Sequence, residues 1–259
     1  MIDHDGFHVT IDEPRRVATI TLDVPGKMNR VAITARAQLA RVFEDLGRDP
    51  RVRAIVVAGA GDEAFTAGGD IAGFMEVDPE WISHLHDNIA APERCPKPVI
   101  AALHGYCLGV GFELALACDF RIAADNTQVG LPEISLGMIP GSGGSQRLVQ
   151  MVGIGRAKDM VMRGRRLKAP EALAWGLLTE VVPRAGLDDA VAALADDMAA
   201  RPSVALRTLK RVLNQAPNTS LSVGMELEGL AYGLLRSTDD FAEGVASFTE
   251  KRKPTWRDS

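Results

Sequence analysis

The sequence lacks the features of a disulfide-stapled, membrane-spanning or secreted protein. Its three cysteines, at positions 95, 107 and 118, match no disulfide or metal-site spacing and are expected to be buried reduced thiols. No uninterrupted apolar run reaches the roughly 18–20 residues that a membrane-spanning helix needs. Residues 1–16 carry charges where a signal peptide would need an apolar stretch. These absences predict a cytoplasmic protein.

An excess of basic residues is also absent. The formal net charge of −5 argues against a nucleic-acid binder, which usually carries a basic face. An anionic ligand would therefore need a local cluster of basic side chains. Hydrophobic residues make up 46% of the chain and charged residues 24%, which is ordinary for a globular protein with a packed core.

Segments typical of strands and helices alternate over most of the chain. This alternation predicts an α/β fold with a mainly parallel sheet. Thr34 is a candidate N-cap for the first helix. We expect strands at 8–11 and 17–22 (joined as a hairpin), 52–58, 99–102, 120–123, 128–130 and 179–182. Helices are predicted at 34–46, 80–92, 109–117, 144–163 (broken at Gly153 to Gly155) and 170–176.

Helical stripes dominate from Leu187 onward, with apolar residues at intervals of three and four. We therefore divide the chain into an α/β core, residues 1–195, and a C-terminal helical region, residues 196–259.

Two carboxylates stand out in residues 104–146. Glu113 lies in a segment that is apolar on nearly all sides, so it is predicted to be buried with a raised pKa. A functional role and a structural pairing with a buried arginine fit that pattern equally well. Glu133 follows Pro132, where a glutamate at the first turn of a helix is also favoured by the helix dipole.

Glycine-rich turns surround these carboxylates. Gly109 and Gly111 flank Val110 at a predicted helix start, where free backbone N–H groups favour negative charge. Gly68 and Gly69 present backbone N–H groups in the same way in an earlier loop. Such glycines can also serve only to let two chain segments pass close to each other. No dinucleotide fingerprint or P-loop follows any predicted strand. The turn at 141–145 lacks the frame of a serine hydrolase, and the histidines at 84 and 86 have no identifiable metal-ligating partners.

Taken together, these segments resemble the crotonase superfamily, and within it the enoyl-CoA hydratases. The matching stretches are residues 64–71, 97–102, 104–119, 132–148 and 243–254. The resemblance implies a crotonase-like spiral of ββα units with a C-terminal helical trimerisation region. It also implies an acyl-CoA thioester substrate, a role in fatty acid β-oxidation, a homotrimer or dimer of trimers, and no cofactor or metal, since CoA is part of the substrate.

The resemblance assigns roles to individual residues. The backbone N–H groups of Gly69 and Val110 would form an oxyanion hole for the thioester oxygen. Glu113 would deprotonate a water for attack at Cβ, and Glu133 would exchange the proton at Cα. Relatives commonly carry alanine at position 69 and glycine at position 110, so the branched Val110 is expected to narrow the pocket.

Substrate contacts are located less sharply by the same resemblance. The basic segment Lys251 to Lys253 is either a solvated helix end or a partner for the CoA phosphates. Residues 74–81 are expected to cover the acyl tail. The implied substrate and CoA contacts are Lys27, Met28, Arg30, Ala67, Gly68, Asp70, Ile71, Gly109, Pro132 and Gly141.

The paired glutamates favour one activity within the superfamily. The implied enzyme is an enoyl-CoA hydratase, a carbon–oxygen lyase that adds water syn across the 2,3 double bond of a trans-2-enoyl-CoA to give 3-hydroxyacyl-CoA. The alternatives are a Δ3,Δ2-enoyl-CoA isomerase or another crotonase-type acyl-CoA enzyme, since an isomerase needs only one base. A further alternative is a non-catalytic relative that binds acyl-CoA or RNA, which the acidic net charge and the intact glutamate pair disfavour.

Overall fold

Two β-sheets form the framework of the molecule. The computed structural model describes residues 1–71, 73–74, 77–78, 80 and 86–257. The strands are β1 Ile2–His4, β2 Phe7–Asp12, β3 Val17–Leu22, β4 Ala54–Gly59, β5 Ala64–Thr66, β6 Val99–Leu103, β7 Tyr106–Leu108, β8 Phe120–Ala124, β9 Gln128–Gly130, β10 Arg166–Lys168 and β11 Glu180–Val182.

The larger sheet has seven strands in the order β1-β2-β3-β4-β6-β8-β11. Strands β1 to β3 pair antiparallel, and every other neighbouring pair in this sheet is parallel. The predicted hairpin is confirmed, because β2 and β3 pair from Phe7 opposite Leu22 to Asp12 opposite Val17. The predicted α/β class with mainly parallel pairing is likewise confirmed.

The smaller sheet has four strands in the order β10-β9-β7-β5. Strands β9, β7 and β5 run parallel, and β10 is antiparallel to β9. The sequence pattern indicated only β9, and it did not indicate β5, β7 or β10. This smaller sheet carries the glycine turns discussed below.

Ten α-helices are described. They are α1 Ile33–Arg48, α2 His86–Ile89, α3 Ala91–Arg94, α4 Val110–Ala117, α5 Gly144–Arg163, α6 Ala169–Ala174, α7 Leu187–Ala199, α8 Ser203–Gln215, α9 Leu221–Leu235 and α10 Asp239–Glu250. The predicted break in α5 is confirmed, since Gly153 has φ 76° and ψ 162° inside the helix. Of the helix predicted at 80–92, Trp81 and Leu85 lie outside the described residues.

The start of α1 differs from the sequence prediction. Ala32 is the N-cap and makes no side-chain capping bond, so the assignment of Thr34 as the cap was wrong. The chain just before the helix is instead held by pairing with a loop. Val31 forms a bridge with Gly69, and its N–H donates to the carbonyl of Gly68 at 2.9 Å. This pairing fixes where the helix begins and ties α1 to the glycine loop after β5.

The larger sheet is covered on both faces. Along β4, Ile55 and Val57 contribute to the main hydrophobic core, whereas Ala54 and Val56 contribute to a second core with α7. A strand buried on both faces explains why its sequence is a continuous apolar run rather than an alternating one. Helix α4 lies within the protein, and all eight of its residues are buried.

The C-terminal helices α9 and α10 present large apolar side chains to solvent in the single chain, among them Leu230 and Phe248. The proposed division at residues 195 and 196 falls within the last turn of α7, whose buried face packs on the larger sheet. That division, like the trimerisation region, stays a prediction. Among the described residues, no helix combines the length and the apolar character needed to cross a membrane.

Candidate active site

Two glycine turns meet at one edge of the smaller sheet. Strands β5 and β7 are parallel neighbours, so the turns that follow them, at Gly68 and at Gly109, emerge on the same side. Both glycines have positive φ, 114° and 55°. A Cβ added to Gly109 would lie 3.8 Å from the Cα of Gly68, and one added to Gly68 would lie 3.2 Å from the carbonyl oxygen of Leu108. The two turns are therefore in direct contact.

Each turn presents a backbone amide assigned to the oxyanion hole. Val110 is the first residue of α4, so its N–H has no carbonyl four residues earlier within the helix. Within the described ranges, no turn or loop carbonyl accepts a hydrogen bond from Val110 or from Gly69. The side chain of Val110 is only 6% exposed and belongs to the main core. The branched side chain that departs from the family pattern is thus part of the hydrophobic packing.

Glu113 is buried one turn into α4, with 2% of its surface exposed. Its Oε1 accepts two hydrogen bonds, from the N–H of Ser142 at 2.7 Å and from the N–H of Gly144 at 2.9 Å. Burial raises the pKa of Glu113, and the two amides followed by the charges of Arg36 and Arg147 oppose that rise. The carboxylate is therefore buried but held by donors that favour its ionised form.

Glu133 is the first residue of a short 3-10 helix, Glu133–Leu136, that follows Pro132. Its Oε1 lies 3.1 Å from the position that a Cβ on Gly109 would occupy, which places the carboxyl at the glycine turn. Its Oε2 is buried and has no hydrogen-bond partner among the described residues. Burial raises the pKa of Glu133 to about 7, with its own N–H opposing the rise and the charge of Glu113 adding to it.

The two carboxyl groups thus differ in proton affinity at one site. A carboxylate held by two amides beside a carboxyl with a pKa near neutrality is suited to general base and general acid chemistry. The apposed free amides are suited to stabilising an oxyanion. Such a set fits proton transfers next to a polarised carbonyl.

Sequence reasoning missed the residues that hold the loop around Glu113. Arg147 donates to Oε2 of Glu93 from Nε at 2.9 Å and from Nη2 at 2.7 Å. It also donates from Nη1 to the carbonyl of Ser142 at 3.0 Å. Because the partners Glu93 and Arg147 are 54 positions apart, no local pattern could have indicated the pair.

Arg36 was missed as well, although a signal for it exists. It occupies the apolar face of α1, three residues before Leu39 and seven before Phe43, where a lone cation on a core-facing stripe indicates a buried charge. The residue is 4% exposed. Its guanidinium lies beside Gly69 and stacks over the ring of Phe74, 5.5 Å from the ring centroid.

The loops with the predicted CoA contacts lie side by side. Ala67 donates its N–H to the carbonyl of Met28 at 2.9 Å, and Arg30 Nη1 lies 3.2 Å from Asp70 Oδ1. Lys27 lines the same surface cleft as Arg30 and Asp70. This loop pair continues directly into Gly68 at the carboxylate site.

The remaining predicted contacts fall in three places. Pro132 precedes Glu133 directly, whereas Ile71 and Gly141 are exposed. In the basic tail, Arg252 forms ion pairs with Glu243 and Glu250. Of the predicted acyl-tail cover, Phe74 is half-buried beside Arg36, while positions 75, 76, 79 and 81 lie outside the described residues.

A metal site was not predicted, and the described ranges contain no group of three or more His, Cys, Asp or Glu side chains placed to hold a metal ion. Position 84 of the histidine pair lies outside those ranges, and His86 forms an ion pair with Asp87 at 3.7 Å.

Comparison with known proteins gives one consistent result. A family model described as enoyl-CoA hydratase/isomerase matches residues 12–259. A short-chain-enoyl-CoA hydratase of Clostridium acetobutylicum is 33% identical over 250 residues, which cover 95% of this chain and 96% of that protein. A crotonyl-CoA hydratase of Syntrophomonas wolfei is 35% identical over 251 residues, with coverage of 95% and 96%. The crystal structure of an enoyl-CoA hydratase from Bacillus anthracis matches with a TM-score of 0.91 at 34% identity, covering 98% of this chain and 100% of that one.

Proposed function

Because this chain belongs to the enoyl-CoA hydratase/isomerase family, we propose that it adds water across the 2,3 double bond of a trans-2-enoyl-CoA. The product is the 3-hydroxyacyl-CoA, formed by syn addition. The observation that carries this proposal is the pair of carboxyl groups at one site, of which Glu113 is held by two amides and Glu133 has an oxygen, Oε2, without a partner among the described residues. Water addition needs both a base and an acid, and the pair supplies both.

The thioester oxygen is placed between the N–H groups of Gly69 and Val110. As the nucleophile adds at Cβ, negative charge builds on this oxygen in an enolate. Preorganised amides stabilise that charge, and losing one such donor typically costs about 10²–10³ in rate. The contact between the two glycine turns supports this proposal, because Gly69 and Val110 directly follow the two glycines that approach each other.

The two glutamates divide the proton transfers. Glu113, ionised, takes a proton from the water whose oxygen bonds to Cβ. Glu133, protonated, gives a proton to Cα, and the electron pair of the double bond ends in the new C–H bond. Two carboxyl groups that interact share their protons as a pair, so ionisation of one favours protonation of the other.

The experiment follows the conjugated thioester absorbance of a short trans-2-enoyl-CoA in buffer without added cofactor. We expect wild-type protein to remove this absorbance and Glu113→Gln and Glu133→Gln each to lose about 10²–10⁴ in kcat/KM. Circular dichroism of each variant provides the control for folding. Wild-type rates in both variants would contradict the proposal.

A second candidate activity is supported by one observation. Glu133 has a pKa near 7 and an oxygen without a partner among the described residues, so it could by itself move a proton between two carbons. A Δ3,Δ2-enoyl-CoA isomerase needs such a single base. Incubation with a 3-enoyl-CoA distinguishes the two, because an isomerase produces the conjugated thioester even when water addition is negligible.

We also propose that the C-terminal helices assemble subunits into a trimer or a dimer of trimers. The exposed apolar side chains of α9 and α10, Leu221, Leu230 and Phe248 among them, support this proposal, since large exposed apolar patches mark interaction surfaces. Light scattering coupled to size-exclusion chromatography measures the mass directly. A monomer at micromolar concentration would contradict the assembly while leaving the proposed chemistry intact.

A further inference from the structure

Arg36 is a buried cation with no hydrogen bond to any described residue. It is 4% exposed, and its Nε is buried without an acceptor. Its described neighbours are the ring of Phe74 and the backbone of Gly69, neither of which neutralises a charge. A guanidinium carries five N–H donors, and leaving it buried without acceptors is costly.

Glu113 is the one described group whose charge favours the charged form of Arg36. Its Oε1, however, already accepts from the amides of Ser142 and Gly144, and no ion pair closes between Glu113 and Arg36 within the described part of the chain. The guanidinium therefore retains at least one donor, Nε, that no described residue accepts from. In a buried structural ion pair the two side chains hydrogen-bond to each other, whereas no such bond joins Arg36 and Glu113 among the described residues.

The position of the guanidinium depends on the residue at 69. A Cβ added to Gly69 would stand 3.0 Å from Nη2 of Arg36 and 3.1 Å from Cζ of Phe74. Both distances are tighter than ordinary van der Waals contact, so an alanine would require the two side chains to move by a few tenths of an ångström. Glycine thus makes room for a cation next to the amide that we place on the thioester oxygen.

We propose that Arg36 is a specificity-determining residue that binds a carboxylate on the acyl chain of the substrate. The preferred substrates would then be trans-2-enoyl-CoA thioesters of dicarboxylic acids. This inference rests on the proposed hydratase function. A carboxylate fits best because it neutralises the buried charge and accepts two parallel N–H bonds from the planar guanidinium.

The test compares kcat/KM for neutral enoyl-CoAs with that for ω-carboxylated enoyl-CoAs of the same chain length. Wild-type protein should prefer the carboxylated series at one chain length by a factor on the order of 10², the range expected when a buried charge is left unpaired. Arg36→Met, which keeps an unbranched apolar stem but removes the charged guanidinium, should abolish this preference. Arg36→Lys should retain part of it, since lysine keeps the charge but not the bidentate geometry.

A second measurement needs no variant. Saturated ω-carboxyacyl-CoAs should compete with substrate for wild-type protein on the order of 10² more tightly than neutral acyl-CoAs of the same length.

Three results separate this inference from the proposed function. Equal wild-type rates and equal inhibition for the neutral and carboxylated series would overturn the role of Arg36 while supporting the hydratase. Equal losses on both series in Arg36→Met would show that Arg36 acts through Glu113, which also overturns it. No turnover of either series by wild-type protein would instead contradict the proposed function, and direct calorimetric titration with the saturated carboxylated and neutral acyl-CoAs would still decide the carboxylate preference.

Discussion

Glu113 and Glu133 differ in the hydrogen-bond donors and charges that surround their carboxyl groups. Burial is the largest influence on both carboxyl groups, and it raises both pKa values. Glu113 receives two backbone N–H donors and lies near two arginines, whereas Oε2 of Glu133 has no donor among the described residues. Backbone donors and arginine charges thus oppose the effect of burial at Glu113, whereas the charge of Glu113 adds to that effect at Glu133.

Displacing the carboxylate of Glu113 from its two backbone donors should cause the largest loss of activity. A Cβ on Gly144 would stand 2.8 Å from Cγ and 2.9 Å from Oε1 of Glu113. Gly144→Ala must therefore displace the carboxylate from its donors, and a misplacement of this kind can cost about 10²-fold in rate. We expect that loss in kcat/KM, measured by the absorbance assay.

The matched control is Gly155→Ala in the same helix, α5. Gly155 is exposed, and an added Cβ there would meet nothing within 4 Å. Near wild-type activity in Gly155→Ala beside a large loss in Gly144→Ala would sharpen the comparison. Equal activities in the two variants would show that the N–H groups of Ser142 and Gly144 do not position Glu113 for the reaction.

The pH dependence of the reaction tests the other carboxyl. If Glu133 acts as the acid, kcat/KM falls as pH rises through its pKa of about 7, by about tenfold per pH unit above it. Glu133→Gln is neutral at all pH values, so its residual activity should lack this fall. A wild-type profile that stays flat between pH 6 and 9 would show that Glu133 is not the acid.

Removing the contacts that Arg147 makes with Glu93 and Ser142 should reduce activity by a smaller factor. Arg147→Gln removes the ion pair with Glu93 and the bond to the carbonyl of Ser142, while the amides of Ser142 and Gly144 remain. Because these contacts act on Glu113 through the loop, and the charge of Arg147 has only a minor influence on the Glu113 carboxyl, we expect a loss of about fivefold in kcat, equivalent to roughly 1 kcal/mol. Arg163→Gln, on an exposed side chain of α5, is the control. Equal rates in the two variants would remove Arg147 from the positioning of Glu113.

The last expected effect concerns stability rather than rate. The folded-state pKa of Glu133 is raised above its ordinary value, so the wild-type protein loses stability as pH rises from about 4.5 through about 7. Glu133→Gln avoids this loss. Its melting temperature should exceed that of wild type at pH 8, and the difference should shrink toward pH 4.5. A difference that grows on acidification would reverse the sign and contradict the raised pKa.

Sequence reasoning predicted the elements that have a clear period and missed those that do not. The apolar run of β4 and the glycine break in α5 were readable, because burial on both faces and a positive φ each leave a mark on composition. Strands β5 and β7 were not, since the segments Ala64–Thr66 and Tyr106–Leu108 run directly into glycine-rich loops that dominate the local pattern. The contacts of Glu113 with Ser142 and Gly144 join residues about thirty positions apart, and tertiary packing alone brings them together.

The side chain and the backbone N–H of Val110 lie in two different environments. Its side chain belongs to the main hydrophobic core, while its N–H, at the start of α4, has no acceptor in the part of the chain that the structure describes. The position of that amide is therefore set by how the core packs. A transplant of the two glutamates and the glycine turns onto another scaffold would carry the groups without their alignment. For protein engineering, the transferable unit is the block from β5 through α5, with the core that it encloses.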